Sequence, residues 1–239
     1  MASRRWWDGA GSRRLEHDKA IVEGEQPDLR FEEHAGVMTV VGEFVIRSAS
    51  GIPDRTPTRI EFPPEYPDRE PMAFEPTGRF PHDADHHFFM NGRCCLWLDV
   101  ATPWNPKDPD GLRMFLDQLA LFYERQLIMQ MNPAGGWPGG GWGHNEDGYV
   151  EYLRQEWGLS DDVIRRMAGA LAGRRHNKSL CPCGSRLQYR KCHRSQVDRF
   201  RSRANPVALE RLITILESAG REASPAPATA SARSPRFVL

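Results

Sequence analysis

The pattern of hydrophobic and polar positions in the first quarter of the chain predicts a short helix and a small sheet. Apolar residues recur among charged ones over residues 12–23, and Gly24 with Pro27 ends this amphipathic helix. Segments rich in β-branched and aromatic residues follow, separated by turns that contain glycine. These segments are 29–33, 37–41, 43–47 and 58–62. They predict a four-stranded antiparallel meander.

The middle of the chain predicts an irregular stretch and then a long helix. Residues 63–80 contain five prolines, too many for a continuous helix or strand. We expect an ordered loop there, packed by Tyr66, Met72 and Phe74. From 111 to 130, apolar side chains recur at helical spacing, which predicts the longest helix of the chain.

The C-terminal part predicts shorter helices and an unfolded tail. Helical patterns cover 149–157 and 160–171, the second with Ser160 as its N-cap. A further helix is predicted over 206–219. Residues 224–235 consist of small residues, proline and arginine, and lack the apolar content needed to fold.

Charge divides the chain into two parts. The 239 residues carry 32 basic and 32 acidic side chains, so the formal charge is zero. Residues 1–164 hold 16 Lys and Arg against 28 Asp and Glu, a charge of −12, whereas residues 165–203 hold 12 against Asp198 alone, a charge of +11. We therefore expect two modules, the second attracted to an acidic partner or to the first module.

Targeting signals and cysteine usage indicate the compartment. No apolar run approaches the roughly 18 residues of a membrane span, and the N-terminus, which bears Arg and Trp, lacks the apolar core of a signal peptide. The five cysteines form two tight groups, unlike a disulfide framework. We expect a soluble protein of the reducing cytoplasm with no membrane partner.

The first cysteine group, Cys94 and Cys95, allows three interpretations. A thiolate on a loop can exchange thioesters near neutral pH without a strong base. Free cysteines are also among the most buried residues, so both could be small core side chains. The third interpretation is a metal site, although no regular ligand spacing organises it. Its other ligands would be His82, Asp85, His86 and His87.

The motifs around Cys95 resemble those of the ubiquitin-conjugating enzyme family. They are Phe-Pro-x-x-Tyr-Pro-x-x-x-Pro from Phe62, Gly-x-x-Cys-Leu ending at Leu96, and Trp-x-Pro from Trp104. They occur in this order, after a predicted helix and meander, and the resemblance runs from about residue 12 to 157. It implies an α+β fold, a four-stranded antiparallel meander with flanking helices.

The resemblance implies that Cys95 forms the thioester. It would accept a ubiquitin-like protein from an activating enzyme and pass it to an amine of an unknown protein target. Where the family has His-Pro-Asn, ten residues before this cysteine, the chain reads Asp85-His86-His87. His87 could donate a hydrogen bond to the oxyanion, accept a proton from the amine, or simply hold the loop. Accessory candidates are His86, Cys94 and Asp99.

A segment rich in glycine and tryptophan, residues 135–143, follows the long helix. With Trp137, Trp142 and His144, this segment is a candidate lid over a site. Packing of the tryptophans on the surface is the simpler interpretation, and we favour it.

The second cysteine group is similar, at each fixed position, to the SEC-C zinc-binding motif. The match consists of Cys181-Pro-Cys183-Gly-Ser, then Tyr189, then Cys192-His193. Three sulfurs and one imidazole complete a tetrahedral set for Zn²⁺, which leaves no position for water and indicates a structural site. So short a module has almost no apolar core, so one Zn²⁺ per chain should supply most of its folding free energy.

The basic residues around this motif could bind acidic proteins or the phosphates of nucleic acid. Base stacking would need exposed aromatic rings, and only Tyr189 and Phe200 are near in sequence. We therefore prefer a protein partner to nucleic acid.

Together these features predict a ubiquitin-like protein transferase with a C-terminal zinc knot, in the setting of a bacterial conjugation system such as those used in antiviral defence. Two alternatives stay open. One is a catalytically inactive relative that binds ubiquitin-like folds, and the other is a zinc-dependent adaptor for acidic proteins, ribosomes or RNA. The predicted segments are a flexible N-terminus (1–11), the conjugating-enzyme-like domain (12–172), the basic linker and zinc motif (173–203), a helix (204–220) and a disordered tail (221–239).

Overall fold

Backbone contacts divide the chain into unit 1, Met1–His144, and unit 2, Asn145–Leu239. The computed structural model describes residues 5–47 and 53–222. The boundary between these two contact units lies at 144/145, whereas the sequence predicts a domain boundary at 172/173. Residues 145–171 join unit 2 because their two helices pack against the helices that follow the second cysteine group.

Unit 1 is an α+β structure whose sheet has four antiparallel strands in chain order. The strands are β1 (Leu29–His34), β2 (Val37–Arg47), β3 (Pro53–Phe62) and β4 (Met72–Phe74). Val40 of β2 lies opposite Phe31 of β1 and Ile60 of β3, which sets the register of the three longer strands. The predicted four-stranded meander is confirmed, although its strands differ from the predicted ones.

Gly42 lies within β2 and does not end it. Its φ is +143°, and a Cβ at this position would overlap the carbonyl oxygen of Asp28. A glycine therefore lets β2 continue past the start of β1. The predicted strands 37–41 and 43–47 are one strand.

The fourth strand lies in the proline-rich stretch that was predicted to be a loop. β4 begins directly after Pro71 and pairs with residues Arg59 to Glu61 of β3. It is only three residues long, and a strand this short at a sheet edge tolerates the neighbouring prolines. Tyr66 and Phe74 are buried, as predicted for this segment.

Two helices cover the sheet of unit 1. α1 (Ser12–Glu25) contacts β1, α2 (Gly111–Met131) contacts β2, and the two helices contact each other. Both agree with the predicted helices to within two residues. The buried core joins the sheet to one face of α2; it includes Val40, Phe44, Ile46, Ile60, Leu112, Phe115, Leu119, Phe122 and Tyr123.

A buried carboxylate ties α1 to the proline-rich stretch. Asp18 is fully buried, and the Arg14 Nε donates to both of its oxygens at 3.0 and 2.9 Å. The Tyr66 hydroxyl donates a further hydrogen bond to Asp18 at 2.8 Å. Burial of a charge requires such partners, so the three side chains fix where α1 lies on unit 1.

The described part of the predicted flexible N-terminus is packed. The ring centroid of Trp6 lies 4.7 Å from that of Tyr66 and 5.5 Å from that of Phe62. Gly9–Gly11 forms a 3₁₀ turn that leads into α1. Residues 1–4 lie outside the described residues.

Unit 2 is helical in its described part. Its helices are α3 (Asn145–Gln155), α4 (Asp161–Leu171), α5 (Arg194–Arg203) and α6 (Pro206–Glu222). Three of them match predicted helices with shifted ends. Ser160 precedes α4 as expected, but its side chain makes no capping hydrogen bond.

Helix α5 was not predicted, because Val197 and Phe200 are its only large apolar residues. Both are buried, and this is enough to hold the helix in unit 2. Of the predicted tail, residues 221 and 222 end α6, and 223–239 lie outside the described residues. Over the described ranges, no helix has the length and apolar character needed to cross a membrane.

Candidate metal centre and cysteine site

The first cysteine group lies on a hairpin that is attached to the edge of the sheet. Phe88 pairs antiparallel with Cys94, and the Cys95 amide donates to the His87 carbonyl at 2.8 Å. The Cys94 amide donates to the carbonyl of Ala73 in β4 at 2.9 Å. Gly92 lies in the turn of the hairpin with φ +79°. A Cβ at this position would overlap the backbone carbonyl of Glu75, the residue that follows β4.

The two adjacent thiols have opposite surroundings. Cys94 is 7% exposed within the core, its Sγ 4.0 Å from the Tyr123 hydroxyl, and burial raises its pKa far above the ordinary value. Cys95 is partly exposed. Burial also raises the pKa of Cys95. The Arg93 guanidinium lowers this pKa, whereas the Asp99 carboxylate raises it. Cys95 is the accessible thiol of the pair.

The histidines before the hairpin bind carboxylates. His82 Nε2 lies 3.0 Å from Glu75 Oε2, and His86 Nδ1 lies 2.7 Å from Asp83 Oδ1. Glu75 is fully buried; burial opposes its charge, but hydrogen bonds from Thr77, His82 and Gly78 outweigh it and lower its pKa. These contacts stabilise the loop that carries the two cysteines.

A metal site at the first cysteine group has no support in the structure. Across residues 5–47 and 53–222, the only group of three or more candidate ligand side chains lies at the second cysteine group. Asp99 begins a 3₁₀ turn after the hairpin and accepts the Val100 amide at 2.9 Å. Its accessory role stays a prediction.

His87 has an unusual backbone and an enclosed ring. Its φ is +54°, which is uncommon for a residue with a Cβ. Its ring centroid lies 4.4 Å from that of Trp137 and 4.7 Å from that of His144. Burial, together with the charges of His144 and Arg125, lowers the pKa of His87 to about 4, and the Asp85 carboxylate opposes this shift. The imidazole is neutral at pH 7.

Sequence reasoning missed two residues that hold this loop. Glu75 anchors His82, and the Gln126 Nε2 of α2 donates to the His86 carbonyl at 2.5 Å. Both are fully buried polar side chains. Gln126 falls on the apolar face of α2, and this break in the helical pattern is the one signal that could have revealed it.

The second cysteine group brings its four side chains together. The ligand atoms of Cys181, Cys183, Cys192 and His193 all lie within 4.8 Å of one another. Cys183 Sγ is 3.6 Å from Cys192 Sγ, and His193 Nδ1 is 3.3 Å from Cys181 Sγ and 3.1 Å from Cys192 Sγ. Tetrahedral Zn²⁺ spaces sulfur and nitrogen ligands by about 3.5–3.8 Å. The four residues therefore fit a zinc ion.

Short backbone elements position these ligands. Leu180, the residue before Cys181, forms an isolated antiparallel β-bridge with Gln188. Gly184 turns the chain at φ +87° after the first two ligands, Cys181 and Cys183. The 3₁₀ turn Tyr189–Lys191 leads to Cys192, and His193 is the residue before α5. The folding of α5 is thus tied to the ligand set.

Hydrogen bonds around the ligands favour metal binding. The Ser185 Oγ lies 3.4 Å from Cys192 Sγ. Burial opposes the thiolate of Cys183, yet hydrogen bonds from the side chain and backbone of Ser185 lower its pKa to about 7. Zinc binds thiolates, so Ser185 favours zinc binding because it stabilises the thiolate of Cys183.

The zinc loop packs on the helices of unit 2. The ring of Trp157 lies 5.9 Å from that of His193 and 5.8 Å from that of Phe200, and the Arg166 Nε donates to the Pro182 carbonyl at 3.0 Å. The short motif therefore also packs on side chains outside it, which the sequence pattern did not predict. Tyr189 and Phe200, named earlier for base stacking, are 4% and 2% exposed and cannot stack on a base.

Comparison with known proteins supports the metal centre. The SEC-C motif family matches residues 178–195, a range that contains all four ligands. No curated protein sequence matches the chain. A solved structure titled "A complex of the Vps23 UEV with ubiquitin" is similar at 18% identity over 47% of this chain and 82% of that chain, with a TM-score of 0.32. A TM-score this low does not establish a shared fold.

Proposed function

We propose that unit 1 is a ubiquitin-conjugating-enzyme-like domain that carries a ubiquitin-like protein as a thioester on Cys95. The observation that carries this proposal is the difference between the two adjacent thiols. Cys94 is buried against Tyr123, whereas Cys95 is partly exposed on an ordered hairpin. The sequence motifs select the same residue, because Gly92 and Leu96 flank Cys95 as in the family.

The order of elements in unit 1 supports the proposal. A helix precedes a four-stranded antiparallel meander, the hairpin with Cys95 follows the last strand, and a long helix comes after it. This is the order that the resemblance implies. The Trp104 indole of the Trp-x-Pro motif is buried and donates to the Pro67 carbonyl at 2.8 Å, which joins two of the motifs in space.

The proposed reaction has two steps. The Cys95 thiolate attacks the thioester carbonyl on an activating enzyme; a new carbon–sulfur bond forms, and the thiolate of that enzyme leaves. An amine of the target then attacks the thioester on Cys95. A carbon–nitrogen bond forms, the Cys95 thiolate leaves, and the proton of the amine passes to a base. His87 is the proposed residue that assists this second step.

Unit 2 is proposed to bind a protein partner or target. Its zinc centre is structural, since four protein ligands leave no position for water. Lys178, Arg186, Arg190 and Lys191 surround the ligands in sequence, and within the described residues none of them pairs with a carboxylate. These cations, whose charge no carboxylate in the described residues balances, favour an acidic protein surface as the partner.

The test uses ubiquitin with a C-terminal mercaptoethanesulfonate thioester, which requires no activating enzyme. Incubation with the protein should give an adduct on a non-reducing gel that dithiothreitol removes. Cys95→Ala should abolish this adduct, and the matched variant Cys94→Ala should keep it. Loss in Cys94→Ala alone would overturn the assignment.

A non-catalytic binding module is the second candidate, and the raised pKa of Cys95 favours it because less thiolate is present at neutral pH. Saturable binding of ubiquitin without any reducible adduct, from this thioester or from an activating enzyme with ATP, would establish that alternative.

A further inference from the structure

The four candidate metal ligands form two pairs along the chain, and each pair contacts a residue that precedes the SEC-C motif. The carbonyl of Pro182, between the first two ligands, accepts a hydrogen bond from the Arg166 Nε of α4 at 3.0 Å. The ring of His193, in the second pair, lies 5.9 Å from that of Trp157, in the connection between α3 and α4. The motif covers residues 178–195, so both contacts come from outside it. The pairs are Cys181 with Cys183 and Cys192 with His193.

Trp157 is itself held by other aromatic rings of unit 2. Its ring lies 5.8 Å from that of Phe200 in α5 and 6.4 Å from that of Tyr152 in α3. Phe200 is buried and also packs on Tyr149 of α3, with 5.3 Å between the ring centroids. Close packing on several sides restricts the movement of a large ring. The Trp157 ring therefore provides a fixed surface for the imidazole of His193.

The orientation of the His193 ring decides whether it can bind a metal together with the sulfurs. Its Nδ1 lies 3.3 Å from Cys181 Sγ and 3.1 Å from Cys192 Sγ, so the ring presents this nitrogen to the ligand set. An unrestrained imidazole samples several rotamers and loses that freedom when a metal binds. A neighbouring ring that restricts the imidazole beforehand lowers the entropic cost of metal binding.

Arg166 is oriented by an acidic residue of its own helix. Its guanidinium pairs with Asp162, one turn earlier in α4, while its Nε donates to Pro182. Because Pro182 stands between the first two ligands, this hydrogen bond fixes the backbone that carries both thiols. The adjacent Arg165 has its Nη2 3.7 Å from the same Asp162 carboxylate, but among the described residues it donates no hydrogen bond to 178–195.

We propose that Trp157 and Arg166 are positioning residues of the zinc centre, one for each pair of ligands. The affinity for zinc is then set partly by α3, α4 and their connection, outside the motif. Residues that orient metal ligands commonly change the metal affinity by about 10- to 100-fold. Because binding and support are linked, zinc in turn stabilises the packing of these two helices. This inference does not depend on the proposed thioester transfer in unit 1.

The first experiment measures the zinc affinity of the full chain by competition with a chromophoric chelator. Trp157→Ala and Arg166→Ala should each lower the affinity by about 10-fold or more. Trp157→Phe should keep most of the affinity, because a phenyl ring can still pack on the imidazole. Arg165→Ala is the matched control for Arg166→Ala and should bind zinc as the wild type does. Wild-type affinity in either alanine variant overturns the role of that residue, and an equal loss in Arg165→Ala overturns the role of Arg166.

A second measurement separates positioning from a general loss of stability. Co²⁺ bound by three sulfurs and one nitrogen absorbs visible light, and its bands depend on the arrangement of the ligands. In Co²⁺-loaded Trp157→Ala these bands should shift or broaden, and in Trp157→Phe they should return towards the wild-type spectrum. If Trp157→Ala gives the wild-type spectrum at saturating Co²⁺, the ring only stabilises unit 2 and its positioning role is overturned. A wild-type chain that binds neither metal would refute the zinc centre itself.

Discussion

Cys94 and Cys95 differ because successive side chains of an extended hairpin point to opposite faces. One enters the core beside Tyr123, and the other is partly exposed. The sequence predicts this division only through the spacing of Gly92 and Leu96 around Cys95. The burial of Cys94 depends on contacts with β4 and α2, which are distant from the two cysteines in sequence. The composition around the cysteines therefore could not predict it.

Iodoacetamide should alkylate Cys95 well before Cys94 in the native, zinc-loaded protein. Only the thiolate reacts, and burial raises the pKa of Cys95. The rate at which iodoacetamide alkylates Cys95 should therefore be low at pH 7 and rise by about tenfold per pH unit through pH 8 and beyond. Quenched samples from pH 6 to 9, digested and analysed by mass spectrometry, give the rate at each cysteine.

Cys94 should react only after denaturation, and Cys95→Ala should remove the fast site. Equal rates at both thiols would contradict the burial of Cys94. A plateau in the Cys95 rate below pH 8 would contradict its raised pKa.

At the scale of elements, hydrophobic periodicity predicted α2, because long patterns average over local exceptions. The number of strands agreed only because two errors offset each other: β2 was divided into two strands, and β4 was missed. Hydrophobic periodicity failed where contacts between distant parts of the chain determine the local structure. Gly42 looks like a break, but it is the residue that lets β2 pass Asp28. Helix α5 has two large apolar residues and follows a zinc ligand, so its formation depends on contacts that the pattern does not contain.

The sequence predicted that Cys181, Cys183, Cys192 and His193 lie together as candidate metal ligands, because their chemistry lies in one short segment with fixed spacing. The loop around Cys95 was not predictable, since it is held by Glu75 and Gln126 from elsewhere in the chain. A buried carboxylate or amide leaves no periodic signal of its own.

Replacement of Asp18 should detach α1 from the proline-rich stretch. Asp18→Asn removes the carboxylate that accepts from Arg14 and Tyr66, and leaves the partly buried Arg14 guanidinium with a weaker partner. We expect the free energy of unfolding to fall by about 1–3 kcal/mol. Chemical denaturation monitored by tryptophan fluorescence measures this change.

Asp110→Asn is the matched control, because Asp110 forms an exposed pair with His17 at 3.1 Å. It should cost less than about 1 kcal/mol. Equal losses in the two variants would show that the buried network contributes no more than a surface pair.

At the scale of the whole molecule, the buried cluster that joins α1, α2 and the sheet lies entirely in unit 1, whereas the four candidate metal ligands lie in unit 2. We expect one zinc per chain by elemental analysis and none in Cys183→Ala. Since His193 leads into α5, loss of zinc should also reduce the helix content of unit 2. Circular dichroism measures that loss.

The function of unit 1 should survive the loss of zinc. Cys183→Ala should still form the thioester on Cys95, and Cys95→Ala should keep its zinc. A second zinc per chain that disappears in Cys94→Ala would instead restore a metal site at the first cysteine group.

The hairpin that presents Cys95 also affects how the sheet meets other chains. Exposed sheet edges offer unpaired backbone groups to strands of neighbouring molecules and so promote aggregation. The β4 edge is occupied, because Phe74 pairs with Arg93, and Ala73 accepts the Cys94 amide. The opposite edge, β1, carries the exposed charges of Arg30, Glu32 and Glu33. The same backbone that holds the partly exposed thiol therefore closes one edge to intermolecular pairing, and charge protects the other.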